Sequence, residues 1–407
     1  MVKTIIIASY LMMKGFDASI DHINDKYIDK ELPENVRDVY NADEYKKWRE
    51  YQAESGRLED IKNAVSIIAM TAIIAANTFA WVFDQLSGLN IYLQYLVFTF
   101  VLTIFGTIFD IPFDYYDTFT IEEKYGLNKS SKATFWLDKL KTLLLISAIT
   151  YGLTALIMFL FETFGNVAII MCTGAMLVIT LLVALVIVPI MRIYNNFTPL
   201  EEGGLKSKLL SLCEKYNVAV RKIVVMDASK RTTESNAFCA GFGNRKTISL
   251  DDNLINNYED EEILAVFAHE FAHAKYKHVL KGLPFTIVRM LFLFAAMGIV
   301  LNYPVLYTEF GFDGVNYFWA QTLLTCITWP LSKGLDVVSH YLSRRHEYQA
   351  DAFAAREGYG EKLISALKRL EKEGLSDINP HPAKVILDYS HPTLSQRITA
   401  IEKAQAC

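Results

Sequence analysis

Long apolar runs alternate with polar segments along this chain. A helix that crosses a bilayer needs about 20 mostly apolar residues. Runs without charged side chains meet or approach this length at residues 64–83, 91–109, 142–161, 167–191, 290–308 and 315–332. A buried core helix explains one such run, but it does not explain six of them joined by short loops. The pattern therefore predicts a mainly α, polytopic helical membrane protein.

A seventh span at residues 4–24 would have to tolerate Lys14, Asp17 and Asp21, so we expect six to seven transmembrane helices. Residues 1–13 contain one Lys and a short apolar stretch, but no small-residue cleavage site follows them. We therefore favour an uncleaved amphipathic or partly inserted helix over a signal peptide.

The polar segments predict a folded domain outside the membrane. Period-3.6 patterns indicate helices at residues 205–216, 260–280, 336–356 and 394–404, and β-branched or aromatic runs indicate strands at residues 222–226, 235–242 and 245–250. The tail between residue 380 and residue 394 reads as irregular. The resulting division is a membrane domain at 1–193, an α+β protease domain at 194–282, two transmembrane helices at 283–335 and a C-terminal catalytic part at 336–407.

The basic residues are distributed unevenly between the loops. The connections at residues 84–90, 162–166 and 309–314 contain no Lys or Arg, whereas the alternate connections contain many. Because Lys and Arg accumulate in cytoplasmic loops, we expect the polar domain and the C-terminal tail to face the cytoplasm.

Composition agrees with a membrane protein and narrows its chemistry. Hydrophobic residues make up 52% of the chain and the net charge is −5, so a nucleic-acid partner is not expected. The cysteines are odd in number and have no CxxC spacing: Cys172, Cys213, Cys239, Cys326 and Cys407. We interpret them as reduced thiols, neither a disulfide framework nor a thiolate zinc site.

The sequence His269-Glu270-Phe271-Ala272-His273 lies within the predicted 260–280 helix. Two His residues four positions apart lie about 40° apart around a helix, so both can reach one metal ion. Two imidazoles suit Zn²⁺, which accepts an open fourth position, and Glu270 stands beside the metal where it can act as general base. The motif alone is only a hypothesis, since incidental helix histidines can produce it.

A third ligand is required. His278 follows His273 by five residues, about 140° around a continuous helix, and is therefore not expected to bind the same ion. On the 336–356 helix, Glu347 and Asp351 share one face, so Glu347 could complete the metal shell while Asp351 orients an imidazole. Without the HExxH motif, these two carboxylates would be read as a solvated helix face.

Several sequence motifs occur in the same order as in a known family of proteases. HEFAHAKYKH, then RRHEYQADAFA and YSHPTLSQRI, resemble the M48 family of gluzincin proteases, and within it the Ste24-type CAAX prenyl proteases. FTIEEKYGLNK (119–129) and NFTPL (196–200) resemble that family's membrane-domain loop and its entry to the catalytic domain. The resemblance covers residues 30–407 and implies membrane helices that enclose a chamber.

The resemblance implies roles for residues that the pattern alone leaves open. His269, His273 and Glu347 would bind one Zn²⁺ per chain, Glu270 would be the general base and His391 would stabilise the oxyanion. Asp351 and Arg397 would support the ligands. Asn236, Ala237 and Phe238 would bind the substrate backbone by strand addition. On residues alone, His391 is a loop histidine and 235–238 is simply a strand.

The function expected is zinc-dependent membrane endopeptidase activity on peptide or protein substrates, with C-terminal processing of prenylated CAAX-type substrates. One alternative is an M48 quality-control protease without a prenyl requirement; another is a catalytically silent transporter or binding scaffold. We expect a monomer in the lipid bilayer, in the endoplasmic reticulum of a eukaryote or the inner membrane of a bacterium.

Overall fold

The computed structural model describes residues 1–28, 30–241 and 246–406. Most of these residues are helical. The helices, in chain order, are α1 Val2–Tyr27, α2 Ala42–Ala75, α3 Thr78–Asp84, α4 Ile91–Tyr116, α5 Glu123–Tyr125, α6 Lys132–Phe164, α7 Ala168–Met191, α8 Gly204–Lys215, α9 Asp252–Asn257, α10 Asp260–Lys275, α11 His278–Leu301, α12 Val305–Thr308, α13 Tyr317–Ala354, α14 Gly360–Glu373, α15 Pro382–Asp388 and α16 Leu394–Gln405. The strands are β1 Phe197–Pro199, β2 Val220–Met226, β3 Ala237–Ala240 and β4 Lys246–Asp251.

Five of the six predicted spans fall in the apolar helices of the described chain. By length and composition, the helical stretches Ile91–Tyr125, Lys132–Val183 and His278–Leu301 could cross a membrane, and the bent pair of α2 and α3 would be a fourth. The 52-residue stretch Lys132–Val183 holds two predicted spans, because a 3₁₀ turn at Gly165–Val167 separates α6 from α7.

The boundaries of three predicted spans differ from the structure. The 64–83 run is bent by 58° between α2 and α3, at Asn77, which adopts a left-handed conformation that Asn tolerates. The 290–308 run is displaced, since α11 begins at His278 and ends at Leu301. The 315–332 run is not among the helices that could cross a membrane by length and composition, because polar side chains such as Gln321 interrupt it. It forms the first half of α13.

Helix α13 connects the two hydrophobic cores of the protein. Its first half contributes Trp319 and Leu323 to a core built with α1, α4, α6, α7 and α11. Its second half contributes Ala350 and Phe353 to a core built with the sheet, α8, α10, α14 and α16. A helix of 38 residues is about 57 Å long, so one continuous element runs from the apolar helices to the polar domain.

The polar domain contains one sheet with the strand order β1-β2-β4-β3. Strands β2 and β4 are parallel, and β3 runs antiparallel to β4 at the sheet edge. The three predicted strands are present as β2, β3 and β4, but the one predicted at 235–242 is shorter, because residues 235, 236 and 241 lie outside the strand. Phe242 and Arg245, which bounded two of the predicted strands, lie outside the described residues. The predicted 205–216 helix is α8.

The predicted 260–280 helix is wrong at its end. Helix α10 ends at Lys275, and Lys277 adopts a left-handed conformation (φ 56°, ψ 43°) before α11 begins at His278. Neither Gly nor Pro marks this break in the sequence.

The C-terminal region is more helical than its pattern indicated. Helices α14 and α15 occupy parts of the chain for which the sequence predicted no helix, whereas the predicted 394–404 helix is confirmed as α16. The proposed domain boundaries at 282/283 and 335/336 fall within α11 and α13, so that division stays a prediction. Cys172, Cys213, Cys239 and Cys326 are free thiols, as expected; Cys407 lies outside the described residues.

Candidate metal centre

Helix α10 carries His269 and His273 through the core of the polar domain. A capping box between Glu259 and Glu262 defines its first turn. The helix is buried around most of its circumference, and Ala265, Ala268 and Ala272 are fully buried. Such small side chains allow close packing of neighbouring helices, and α13 packs against α10 where Glu347 projects.

Three candidate ligand atoms converge on one point. The Nε2 atoms of His269 and His273 are 3.2 Å apart, and they lie 3.3 Å and 3.4 Å from the carboxylate oxygens of Glu347. Two ligands held at Zn–N distances in a tetrahedral site are separated by about 3.3 Å. The triangle therefore has the size that a zinc ion requires.

The donor chemistry also fits a cation. Glu347 is buried, and its Oε2 atom accepts no hydrogen bond from the part of the chain that the structure describes. A buried carboxylate oxygen without a donor is costly unless a cation or proton compensates it. His269, His273 and Glu347 are the one such group of potential metal ligands among the described residues.

The electrostatics point in the same direction. Burial opposes a charge on either imidazole, but the neighbouring carboxylates of Asp351 and Glu347 raise the pKa of His269 to about 9. Burial and the neighbouring His269 lower the pKa of His273 to about 3. The carboxylates of Glu347 and Asp351 thus favour a positive charge beside them. The two imidazoles cannot both be protonated, because they repel each other, but a divalent cation bound to two neutral imidazoles provides that charge.

Asp351 and Arg397 lie directly behind His269. Asp351 Oδ1 is 2.9 Å from His269 Nδ1, and Asp351 is fully buried. Arg397 contacts both oxygens of Asp351, at 2.9 and 2.7 Å. This arrangement places the Nδ1 proton of His269 on the Asp351 side and leaves its Nε2 lone pair for a metal.

His278 lies behind His273, a relationship that the sequence reasoning missed. The two Nδ1 atoms are 3.0 Å apart, and His278 Nε2 lies 2.9 Å from Gln349 Oε1. His278 is not one of the three converging ligands, as the sequence led us to expect. A continuous helix would have pointed His278 away, but the left-handed Lys277 turns it back.

Glu270 borders a cavity of about 160 Å³ that also reaches Asn236, Glu347 and His391. Its carboxylate accepts a hydrogen bond from the backbone N–H of Cys239 on β3. Burial raises the pKa of Glu270 to about 7, so its affinity for a proton suits a group that must accept and release one near neutral pH.

The free edge of β3 lies along this cavity. The N–H of Asp251 donates to the carbonyl of Asn236 at 3.0 Å. Since hydrogen-bonded pairs alternate along antiparallel strands, Ala237 and Cys239 direct their backbone groups away from β4. Asn236 and Ala237 line the cavity, whereas Phe238 does not.

His391 also lines this cavity. Its Nε2 atom is 3.6 Å from Glu347 Oε1, and its Nδ1 is 3.0 Å from Ser390 Oγ. Its side chain is exposed, so it can reach a substrate group that enters the cavity. Of the residues that the sequence singled out, only Phe238 stands apart from the cavity and its supporting groups.

Comparison with known proteins assigns the two halves of the chain. Residues 24–194 match the family described as CAAX prenyl protease N-terminal, five membrane helices. Residues 199–405 match peptidase family M48.

Full-length relatives and a solved structure agree with this. A CAAX prenyl protease 1 homolog of Oryza sativa subsp. japonica is 32% identical, over 92% of this chain and 91% of that protein. CAAX prenyl protease 1 of Saccharomyces cerevisiae is 30% identical, over 93% and 90%. The crystal structure of S. mikatae Ste24p aligns with a TM-score of 0.91 at 28% identity, covering 98% of this chain and 99% of that one. This chain therefore belongs to peptidase family M48, as an integral membrane metalloendopeptidase that carries the N-terminal membrane domain of the CAAX prenyl proteases.

Proposed function

We propose that this protein is a zinc endopeptidase that cleaves peptide bonds near the C-terminus of prenylated, CAAX-type substrates. The observation that carries the proposal is the convergence of His269, His273 and Glu347 beside Glu270, in a cavity bordered by a free strand edge. One Zn²⁺ per chain would be held by these three ligands. When bound there, zinc polarises a peptide carbonyl and makes water a better nucleophile at neutral pH.

The chain's own residues carry out the proton transfers. Glu270 accepts a proton from the attacking water and delivers it to the leaving amine. His391 donates a hydrogen bond to the carbonyl oxygen as that oxygen becomes negative. Asp351 orients His269, and Arg397 holds Asp351 in place.

Strand addition to β3 would position the substrate. An extended peptide can pair with the outward carbonyls of Ala237 and Cys239, and Asn236 lies at the start of this edge. The two outward N–H groups already have partners, since that of Ala237 donates to Asn236 Oδ1 at 2.8 Å and that of Cys239 donates to Glu270. Phe238 contributes as part of the strand and does not line the cavity.

The prenylated substrate class is supported by the relatives, which are named CAAX prenyl proteases and match this chain over about nine-tenths of their length. The cytoplasmic orientation of the polar domain is supported by the loops at 84–90, 162–166 and 309–314, which lack Lys and Arg. A eukaryotic chain would then act in the endoplasmic reticulum, as a monomer.

The test is peptide hydrolysis by the purified full chain, with Glu270→Gln as the matched variant. We expect wild type to bind one zinc ion and cleave the peptide, and Glu270→Gln to retain zinc but lose activity by about 10²-fold or more. Equal activity of the two proteins would refute the mechanism, and absence of hydrolysis by both would favour the non-enzymatic scaffold.

Comparison of a prenylated peptide with its unmodified counterpart then decides the substrate class. We expect cleavage of the prenylated peptide to be more efficient. Indifference to the lipid would instead indicate a quality-control protease.

The cytoplasmic orientation is tested with glycosylation tags. A tag in the 84–90 loop should be modified and one at the C-terminus should not; the reverse pattern would refute the orientation.

A further inference from the structure

Two hydrogen bonds connect His273 to the protein surface through His278. His273 Nδ1 faces His278 Nδ1 at 3.0 Å, and His278 Nε2 faces Gln349 Oε1 at 2.9 Å. His278 is buried, at 5% exposure, whereas Gln349 is exposed on α13.

The positions of the protons along this chain of contacts are constrained. An amide Oε1 can only accept a hydrogen bond, so His278 Nε2 must carry the proton that it shares with Gln349. A neutral His278 then has a lone pair on Nδ1, which accepts from His273 Nδ1–H. His273 is thereby left with its lone pair on Nε2, the atom that faces His269 and Glu347.

The opposite order would be incompatible with metal binding. If His278 donated from Nδ1, the Nδ1 of His273 would accept, and a neutral His273 would carry its proton on Nε2. That proton would point at the ligand triangle. Only the order that begins at Gln349 Oε1 leaves His273 able to bind a metal.

We propose that His278, with Gln349 behind it, is a positioning residue that sets the tautomer and ring orientation of His273 and thereby increases the affinity for zinc. This inference rests on the proposed function, since it requires His273 to be a zinc ligand. It adds a partner for the second imidazole, comparable to Asp351 for the first.

The packing around His278 fits this role. Its ring stacks on His346 at a centroid distance of 4.2 Å and an interplanar angle of 6°, and on Tyr276 at 5.8 Å and 25°. A ring held in this way has few orientations available, so its Nδ1 atom presents a fixed acceptor to His273.

The group behind His269 and the groups behind His273 differ in charge, and this difference has a physical basis. Asp351 is charged, whereas His278 and Gln349 are neutral. With zinc bound, the charges of Zn²⁺ and Arg397 would balance the carboxylates of Glu270, Glu347 and Asp351, so another buried carboxylate behind His273 would add uncompensated negative charge. A neutral acceptor orients the imidazole without that cost.

Zinc affinity of the purified full chain, measured by competition with a chromophoric chelator, tests the proposal. We expect His278→Phe, which keeps a ring but no acceptor, to weaken zinc binding by about 10–100-fold. His278→Asn, whose Oδ1 can stand where Nδ1 stood, should recover most of that loss. Gln349→Met alters only an exposed position and should weaken binding by up to about tenfold.

The control for packing is His346→Phe, which preserves the stacking partner and removes no hydrogen bond of this chain of contacts. We expect its zinc affinity to equal that of wild type. The absorption spectrum of the Co²⁺-substituted protein gives a second readout, because it reports ligand geometry independently of activity; it should change in His278→Phe and Gln349→Met and not in His346→Phe.

The outcomes separate this inference from the proposed function. If wild type binds no zinc, or His273→Ala binds it as tightly as wild type, both are refuted. If wild type binds zinc through His273 but His278→Phe and Gln349→Met bind it equally well with an unchanged Co²⁺ spectrum, the inference alone is refuted.

Discussion

Arg397 holds both carboxylate oxygens of Asp351, with its Nε and Nη2 atoms at 2.9 and 2.7 Å. The same Nη2 atom is 4.0 Å from Glu347 Oε2. Asp351 is fully buried and Arg397 is nearly so, and each strongly favours the charged form of the other, which lowers the pKa of Asp351. Helix α16 is thereby tied to the end of α13 at the metal centre.

Replacing Arg397 with Met should strongly destabilise the protein. The Asp351 charge would remain buried without its cation, which typically costs about 3–5 kcal/mol. The free energy of unfolding in detergent measures this. The double variant Arg397→Met, Asp351→Asn should recover part of the loss, and Lys403→Met, an exposed change on α16, should have little effect. Equal stability of Arg397→Met and wild type would contradict the prediction.

Arg231 joins the polar domain to the membrane helices. It binds Asp138 of α6 at 2.8 and 3.2 Å and the carbonyl of Tyr194 at 2.7 Å. Its own carbonyl accepts from the N–H of Lys129, in the loop after α5. Because β3 follows six residues later, this junction positions the strand edge relative to the membrane.

We therefore expect Arg231→Met to lower peptide cleavage without loss of zinc. The charged hydrogen bonds that it removes are worth about 1.5–3 kcal/mol each. Activity and zinc content are measured on the same preparation, and Lys230→Met is the matched neighbour, since its ion pair with Asp227 is exposed on the lysine side. Loss of zinc in Arg231→Met, or an equal effect of Lys230→Met, would argue against a role in positioning β3.

The left-handed conformation of Lys277 separates α10 from α11 and directs His278 toward His273. Lys277→Gly should be tolerated, since glycine adopts this conformation freely. Lys277→Ile should cost about 1–3 kcal/mol, because a β-branched residue is strained there. Thermal unfolding of the two variants checks the difference; similar values would contradict it.

Asp251 should make stability depend on pH. Burial raises its pKa to about 7 from 3.8, with a smaller contribution from Asp252, and its Oδ1 atom has no hydrogen-bond partner among the described residues. The folded state therefore binds a proton more tightly than the unfolded state. Stability from this group is greatest below the unfolded pKa and decreases as pH rises toward 7.

Asp251→Asn should consequently stabilise the protein at pH 8 more than at pH 5, with an upper limit of about 4 kcal/mol. The free energy of unfolding is compared for wild type and variant at both pH values, with the exposed Glu402→Gln as control. A gap that is constant or that narrows with rising pH would show that Asp251 ionises normally in the folded protein.

Much of the membrane architecture was accessible from sequence. The length of an apolar run is a local property that bilayer thickness relates directly to a spanning helix, and five of the six predicted spans lie in the apolar helices of the described chain. Their ends were less predictable. The bend at Asn77 and the displacement of the 290–308 span depend on contacts with other helices rather than on the residues within each run.

Short sequence motifs also predicted most of the residues of the metal centre. His269 and His273 share a face because of helix periodicity, as do Glu347 and Asp351 on the later helix, and the family resemblance added Arg397 as a candidate. The sequence did not indicate that His278 lies behind His273, because neither Gly nor Pro marks the helix break at Lys277. It also offered no sign of Gln349, an exposed residue that acquires its importance only by lying beside His278.

By itself, then, the sequence determined the membrane helices, the polar domain and the HExxH helix, since each depends on periodicity or composition over a few turns. Only the tertiary structure decided which groups stand behind each imidazole and how the free edge of β3 borders Glu270. Several of those relationships join residues far apart in the chain, as His278 and Gln349 are at a separation of 71 positions, and they arise from the packing of α10, α13 and α16 around one buried point.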